Sequence, residues 1–322
     1  MQQSANQPVI AVVIVSFNTA DLLRRCLRSL QACRLPLQII VVDNYSHDES
    51  AAMVRREFPA VRLHVASENR GFAAANNIGL HMLGFGTPNT APRPDYVLLL
   101  NPDTEVYVGA LEALVSFLQA HPRVAMAAPR LYNPDGSLQH GAFRFPTLSM
   151  SLLDVFPPGA VLPGRLYGSW WHGRYPAEIR QHREPFPIDH PLGACMLVRR
   201  AAIEEVGLLD DGYFLYSEEV DWCWRMRRAG WAIWQVPAAH VLHVGGASSQ
   251  QVRVRSFIEL HRSRLRFFQR HYSVNFVYAH RSIVQAGMVY ATLRAWRLYT
   301  RRIIKVGELR ARLLAYGRVV QL

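Results

Sequence analysis

Long apolar runs are missing from this chain of 322 residues. None approaches the roughly 18 residues that mark a membrane-spanning helix. The N-terminus, Met1-Gln2-Gln3-Ser4-Ala5-Asn6-Gln7-Pro8, has no basic start, and the apolar run at 9–17 reads as a strand. A secretory leader is therefore not expected. Cysteine is scarce: Cys26, Cys33, Cys195 and Cys223 are scattered without metal-ligand spacing. Cys26 and Cys223 fall on apolar faces of expected helices, which suits buried free thiols in a reducing cytoplasm. No G-x-G-x-x-G follows the first strand and no G-x-x-x-x-G-K-[ST] occurs. A dinucleotide-binding Rossmann domain and a P-loop NTPase are both disfavoured.

Charge is low at 19% against 50% hydrophobic residues, which excludes a disordered chain and leaves ample material for a core. Acid is nearly absent from one end. From residue 251 onward fifteen Arg or Lys face only Glu259 and Glu308, so the whole of the net charge of +12 lies there and the rest of the chain is nearly neutral. Such a tail implies an anionic partner, either a phospholipid surface or nucleic acid.

What is present begins as alternating strand and helix. Residues 9–16 form a β-branched run, read as a buried parallel strand, and Leu22, Leu23, Cys26, Leu27 and Leu30 recur at helical spacing behind Thr19 or Asp21 as cap. Strands follow at 37–42 and 61–65. Ser46 and Glu49 have capping-box spacing for a short helix between them. An alanine-rich helix runs from Gly71 to about residue 83. Then Tyr96-Val97-Leu98-Leu99-Leu100 ends abruptly at Asn101-Pro102-Asp103, and a helix at 108–121 and a strand at 124–128 follow. The alternation predicts a mostly parallel sheet covered on both faces.

The pattern dissolves between 133 and 191, where nine prolines and aromatics such as Phe143, Phe145, Trp170 and Trp171 favour a loop packed near a ligand. A strand at 193–198, a short helix ending at Gly207 and a helix capped by Ser217 come next. Its first turn holds Glu218, Glu219 and Asp221, and its last Arg225, Arg227 and Arg228, complementing the helix dipole. A strand at 231–236 follows, with His240 and His243 just past it. From 256 to the end the reading is helical, with Trp296 and leucines among arginines at a spacing suited to a membrane interface.

If the sheet is parallel, four strand ends gather polar residues along one edge: Ser16 with Asn18, Asp43-Asn44, Asn69 with Gly71, and Asn101 with Asp103. One such Asp is ordinary turn chemistry; four in succession mark a site, because ligands collect beyond the carboxyl ends of parallel strands. Asp103 reads either as the cap of the helix near Val108 or as a carboxylate holding a divalent cation against a diphosphate. Glu218, Glu219 and Asp221 read as helix-dipole partners or as the source of a general base. His243, before Gly245-Gly246 and Ser248, reads as a structural histidine or as a metal ligand.

With these residues in view the chain resembles the family 2 glycosyltransferases of the GT-A fold, most nearly the bacterial rhamnosyltransferase-like group. The matching stretches are Val12-Val13-Ile14-Val15-Ser16-Phe17-Asn18, Val41-Val42-Asp43-Asn44, Glu68-Asn69-Arg70-Gly71-Phe72-Ala73 with Asn76 and Gly79, and Leu99-Leu100-Asn101-Pro102-Asp103. Gly193-Ala194-Cys195-Met196-Leu197-Val198, the acidic segment and His243 continue the match in order.

The resemblance implies an α/β fold with a helical basic extension: a transferase domain over 1–250, its nucleotide-sugar half at about 1–130 and acceptor half at 131–250, then the extension at 251–322. It implies that Ser16, Asn18, Asp43 and Asn44 hold the base and ribose of a nucleotide sugar, with Asn69, Gly71 and Asn76 lining the same pocket. Asn101-Pro102-Asp103 stands where the family carries D-x-D, so Asp103 and His243 would ligate Mg²⁺ or Mn²⁺ and Asn101 replaces the first acid. The base would be Glu219, with Asp221 and Glu218 as fallbacks. The implied reaction is inverting transfer from a dTDP- or UDP-sugar, rhamnose foremost, to a saccharide or polyprenyl-linked acceptor in cell-surface polysaccharide synthesis. The enzyme would be cytoplasmic, its tail on the anionic inner membrane face, with no specific nucleic acid partner. Rival readings are a sugar nucleotidyltransferase, which would need a phosphate loop rich in glycine and lysine or arginine that residues 15–24 lack, and a non-enzymatic nucleic-acid-binding protein using the tail.

Overall fold

The computed structural model describes residues 8–88, 92–159, 161–176, 179, 181–246 and 253–322. At the centre of its sheet is β1 (Ile10–Ser16), whose seven residues are all buried. That is what a continuous apolar strand requires when helices cover both faces of its sheet. On one side it pairs parallel with β2 (Leu37–Asp43), which pairs parallel with β3 (Arg62–Val65). On the other it pairs parallel with β4 (Tyr96–Leu100). Beyond β4 the sheet continues through an antiparallel β10 (Cys195–Arg199), then β6 (Val124–Tyr132), β11 (Ala232–His243) and β5 (Thr104–Val106). The sheet is thus mostly parallel, as expected.

Helices α1 (Ala20–Gln31), α2 (Ser50–Glu57), α3 (Phe72–Met82) and α4 (Ala110–Ala120) follow the early strands, and Leu23, Cys26, Leu27 and Leu30 of α1 are buried at the predicted spacing. Gly79 lets α3 lie directly on β1, since a Cβ there would come within 2.4 Å of Val13 Cγ1. Two further pairs of short strands, β7 (Ala142–Phe143) with β9 (His190–Pro191), and β8 (Phe186–Pro187) with β11, edge this part of the molecule.

Several local expectations are corrected. Neither Thr19 nor Asp21 caps α1: the Thr19 side chain makes no cap bond, and the Ala20 N–H donates instead to Asp48 Oδ2 at 2.9 Å. The Ser46–Glu49 box does not form either. Asp48 Oδ1 accepts from Ser50 N, and Ser46 Oγ accepts from Asn18 N. A tertiary partner displaced the local one in both cases. The helix after Asp103 starts only at Ala110, behind Gly109 at φ 86, and β5 intervenes, so Asp103 is not its cap. His240 and His243 lie within β11 rather than past it. Ser217 precedes a helix at Glu218–Arg228, but its φ of 64 is not the extended conformation of a capping serine.

The chain divides into two compact units. One comprises residues 1–143, 181–213 and 218–248 and holds the large sheet; the other comprises 144–180, 214–217 and 249–322. The second unit is helical: α5 (Leu148–Val155), two short 3-10 turns, and, after α6 (Arg200–Val206) and α7 (Glu218–Arg228) of the first unit, α8 (Arg253–His271), α9 (Val274–Thr300) and α10 (Val306–Val320). The proline-rich stretch without a sequence pattern therefore contains regular structure. Among the described residues no helix is long and apolar enough to cross a membrane.

Candidate active site

Register brings the predicted strand ends together. Ser16 pairs with Asp43, Asp43 with Val65, and Ile14 with Leu100, so β1, β2, β3 and β4 finish nearly level. The polar residues at this edge then fall into two groups.

The first group builds the edge. Ser16 is fully buried and its hydroxyl meets Thr19 Oγ1 at 3.0 Å. Asn18, at φ 51, accepts from His47 N at 2.7 Å while its own N–H reaches Ser46. Asn44 Nδ2 donates to Asn69 Oδ1 and to Gly71 O, and Asn44 Oδ1 accepts from Arg70 N. Asn69 Oδ1 also accepts from Gly71 N at 3.0 Å. These bonds hold Gly71 at φ 85, a conformation open to glycine, so the turn entering α3 is shaped by Asn44 and Asn69. Asn76 Nδ2 returns to Phe72 O of its own helix.

The second group keeps polar atoms unused by the protein. Asp43 accepts from Ser46 N through Oδ1, but its buried Oδ2 has no partner. Asn101 donates its backbone N–H to Ala194 O, while its buried Oδ1 is likewise unpartnered. Buried polar atoms are rarely left unpaired, and each such atom calls for an explanation. A bound polar ligand supplies one.

Asp103 and His243 lie side by side where β5 begins and β11 ends. His243 Nε2 is 3.4 Å from Asp103 Oδ1, and both residues are buried. Asp103 Oδ2 accepts from Gly245 N at 3.1 Å, and Asp103 O accepts from Val244 N. On the other side of the ring, His243 Nδ1 is 2.7 Å from Gln139 Oε1, and Gln139 Nε2 donates to Asn133 Oδ1, which fixes the amide's orientation. An amide oxygen accepts, so the Nδ1 carries the proton. A neutral ring would then aim its Nε2 lone pair at a carboxylate oxygen, an arrangement a cation between them relieves. The donor set of one carboxylate and one imidazole fits a divalent ion that also binds phosphate oxygens. Among the described residues no cluster of three or more His, Cys, Asp or Glu offers a metal site. Ser248, which the sequence placed in the same turn, lies outside the described residues.

The acidic helix start presents two carboxyls in apolar surroundings. Glu218 is buried and Glu219 partly exposed, its side chain lying along Gly193, where a Cβ would sit 3.5 Å from Glu219 Cγ. Burial pushes Glu219 up to about 7. Burial, with the neighbouring Glu219 charge, holds Glu218 well above the carboxylate range. One oxygen of each is buried without a partner. Asp221 differs: Arg225 Nε donates to its Oδ2 at 2.8 Å, Tyr213 OH approaches its Oδ1, and Arg225 also reaches Val206 O and Leu208 O. It fastens the loop after α6.

The sequence model of the family described as glycosyl transferase family 2 matches residues 11–207, more than half of the chain. This protein belongs to that family. The family 2 glycosyltransferase is of rhamnosyltransferase-like type. It is 34% identical over 242 residues to an N-acetylglucosaminyl-diphospho-decaprenol L-rhamnosyltransferase of Mycobacterium tuberculosis, covering 73% of this chain and 76% of the relative. It is 24% identical to the rhamnosyltransferase WbbL of Escherichia coli K12 over 81% of this chain and 93% of that one. Its fold matches a mannosyltransferase of Pyrobaculum calidifontis solved with GDP-mannose and Mn²⁺, at a TM-score of 0.53, 14% identity, and coverage of 98% and 86%.

Sequence reasoning missed Gln139, Asp48 and Asn77. Gln139 sits in the patternless stretch, 104 positions from the histidine it orients. Asn77, which exchanges two hydrogen bonds with Leu209 across 132 positions, is hidden in an alanine-rich helix. Nothing local distinguishes any of them.

Proposed function

We propose that this glycosyltransferase is inverting and metal-dependent, and that it transfers rhamnose from dTDP-rhamnose, or a related sugar from a UDP donor, to a saccharide or polyprenyl-linked acceptor in cell-surface polysaccharide synthesis. The observation that carries the reading is the buried Asp103–His243 pair, with the imidazole oriented by Gln139 and the carboxylate by the Gly245 N–H. Asp103 and His243 would hold Mg²⁺ or Mn²⁺. Bound there, the cation would neutralise charge on the departing nucleoside diphosphate.

Asp43 Oδ2 suits the imide N–H of a uracil or thymine base, since it is an acceptor without a donor. Asn18, Asn44, Asn69, Gly71 and Asn76 shape the wall around it, and the Asn101 amide takes the place of a second carboxylate. Glu219 is the base: near pH 7 it is poised between its two forms, and its partial exposure lets it meet an acceptor hydroxyl. It removes the hydroxyl proton as that oxygen bonds to the anomeric carbon and the bond to the diphosphate oxygen breaks on the opposite face. Glu218, kept neutral, limits charge repulsion at that step. Asp221 holds the helix start through Arg225. The decaprenol-linked substrate in the Mycobacterium relative's name supports a polyprenyl-linked acceptor here, and with it work at the cytoplasmic membrane face.

The test is a thermal-shift series with Mn²⁺ and dTDP-, UDP- and GDP-sugars. A donor at a hundred times its dissociation constant should stabilise the fold by about 2.7 kcal/mol. Asp103→Ala should remove the Mn²⁺-dependent part, whereas Glu219→Gln should keep it and lose transfer. No stabilisation by any nucleotide sugar would overturn the reading.

A further inference from the structure

Helix α9 carries an unpartnered apolar stripe near its C-terminal end. Val289, Leu293 and Trp296 follow one another at i, i+4 and i+7, and they are 59%, 65% and 47% exposed. The turn into α10 extends the stripe. Arg302 takes φ 59 and the Ile303 N–H returns to Leu298 O at 2.9 Å, closing the helix. Ile304 thereby joins Ala295 and Leu309 in the hairpin's own small core, while Ile303 stays 64% and Val306 49% exposed. Arg294, Arg297, Arg301, Arg302 and Lys305 around this tip are all exposed. The only acid beyond Glu259 is Glu308, which pairs with Arg312.

A tryptophan and branched aliphatics ringed by cations, on a helix not apolar enough to span a bilayer, has the make-up of an interfacial element. We infer that the α9–α10 hairpin tip seats in an anionic phospholipid surface, with Leu293, Trp296 and Ile303 entering the headgroup–acyl boundary and the surrounding arginines meeting lipid phosphates. Charge complementarity selects this occupant. A second copy of the chain would set five cations against five more. The purpose of the contact rests on the lipid-linked acceptor proposed above, but the contact itself is measured without any transfer.

The experiment uses the full chain with vesicles of equal parts phosphatidylglycerol and phosphatidylcholine, against phosphatidylcholine alone. Wild type should co-sediment with the first and not the second, and lose binding as salt rises. Leu293→Ser/Trp296→Ser/Ile303→Ser should lower the partition coefficient at least about tenfold. Arg297→Gln/Arg301→Gln/Arg302→Gln should lower it about fivefold per charge removed. Should the triple serine variant melt early, Ile303→Ser alone at the turn carries the same test. Transfer to a water-soluble acceptor should be unchanged in all of them. Equal binding by wild type and the serine variant would overturn the inference, as would a wild-type dimer that the serine variant turns into a monomer while neither binds vesicles. In either event nucleotide-sugar stabilisation would persist, and the proposed function would stand apart.

Discussion

The two units treat their acidic side chains differently. In the sheet-bearing unit, Asp43, Asn101, Glu218 and Glu219 each keep a buried oxygen without a protein partner. In the helical unit the acidic side chains of α5 and α8 are paired, Glu259 with Arg262, although His261 Nδ1 is buried without a partner. Asp154 of α5 meets both Arg264 of α8 and His172 Nε2, and those charges pull its carboxyl down to about 2 against the burial that would raise it. His280 is tied to Ser151 Oγ at 2.9 Å. Unpaired buried atoms cost stability, so a fold retains them where something else binds. Satisfied networks fix one packing arrangement. At the strand ends and the start of α7 the contrast marks the candidate site.

Substitutions can break this contrast. The largest effect is expected from Asp103→Ala, which should lower kcat/KM about 10³-fold and abolish Mn²⁺-dependent donor binding by calorimetry while thermal stability hardly moves. Glu219→Gln should cost about 10²- to 10⁴-fold in kcat with donor affinity retained. The pH profile sharpens that prediction. A base must be ionised to act, so wild-type kcat/KM should be held above pH 7 and fall as pH drops through about 7, and the glutamine variant should lose that limb. Gln139→Ala, which frees the His243 ring, should weaken metal affinity about 10- to 100-fold without changing the fold.

The helical unit should respond in stability alone. Asp154→Ala leaves Arg264 and His172 without their shared carboxylate and should cost about 1 kcal/mol in urea unfolding, with transfer to a soluble acceptor intact. Acid tests the same unit. Burial lowers His261 to about 4 and His280 to about 3, so both are neutral in the fold. Their contribution is fully present above the unfolded value of about 6.5 and declines as pH falls toward those depressed values. His280→Gln should flatten that decline and leave the Glu219 limb of the activity profile in place. If activity and stability fell together in every variant, the division between site and scaffold would fail.

Much of the fold was legible because its signals are local. A β-branched run such as Ile10–Ser16 has no other use, and Leu23, Cys26, Leu27 and Leu30 announce a helix face by spacing alone. The candidate site was legible in part for the same reason: parallel strands that end in Asn or Asp must bring those ends to one edge. Caps were read less well. The Ser46–Glu49 spacing is correct for a capping box, yet Ser46 accepts from Asn18 N and Asp48 from Ala20 N, because a tertiary hydrogen bond competes with a local one at equal strength.

Residue order alone thus determined the α/β alternation, the family, the basic helical end and the candidates Asp43, Asp103, Glu219 and His243. Only the tertiary structure decided which of the polar strand-end residues build the edge and which keep an oxygen without a protein partner. It also decided that Gln139 orients His243, that Asp221 belongs to Arg225, and that residues 144–180 fold with the C-terminal helices. The reason is physical. Periodicity reports which face of an element is buried, but a hydrogen-bond partner a hundred positions away is chosen by the packed geometry and leaves no trace in local spacing.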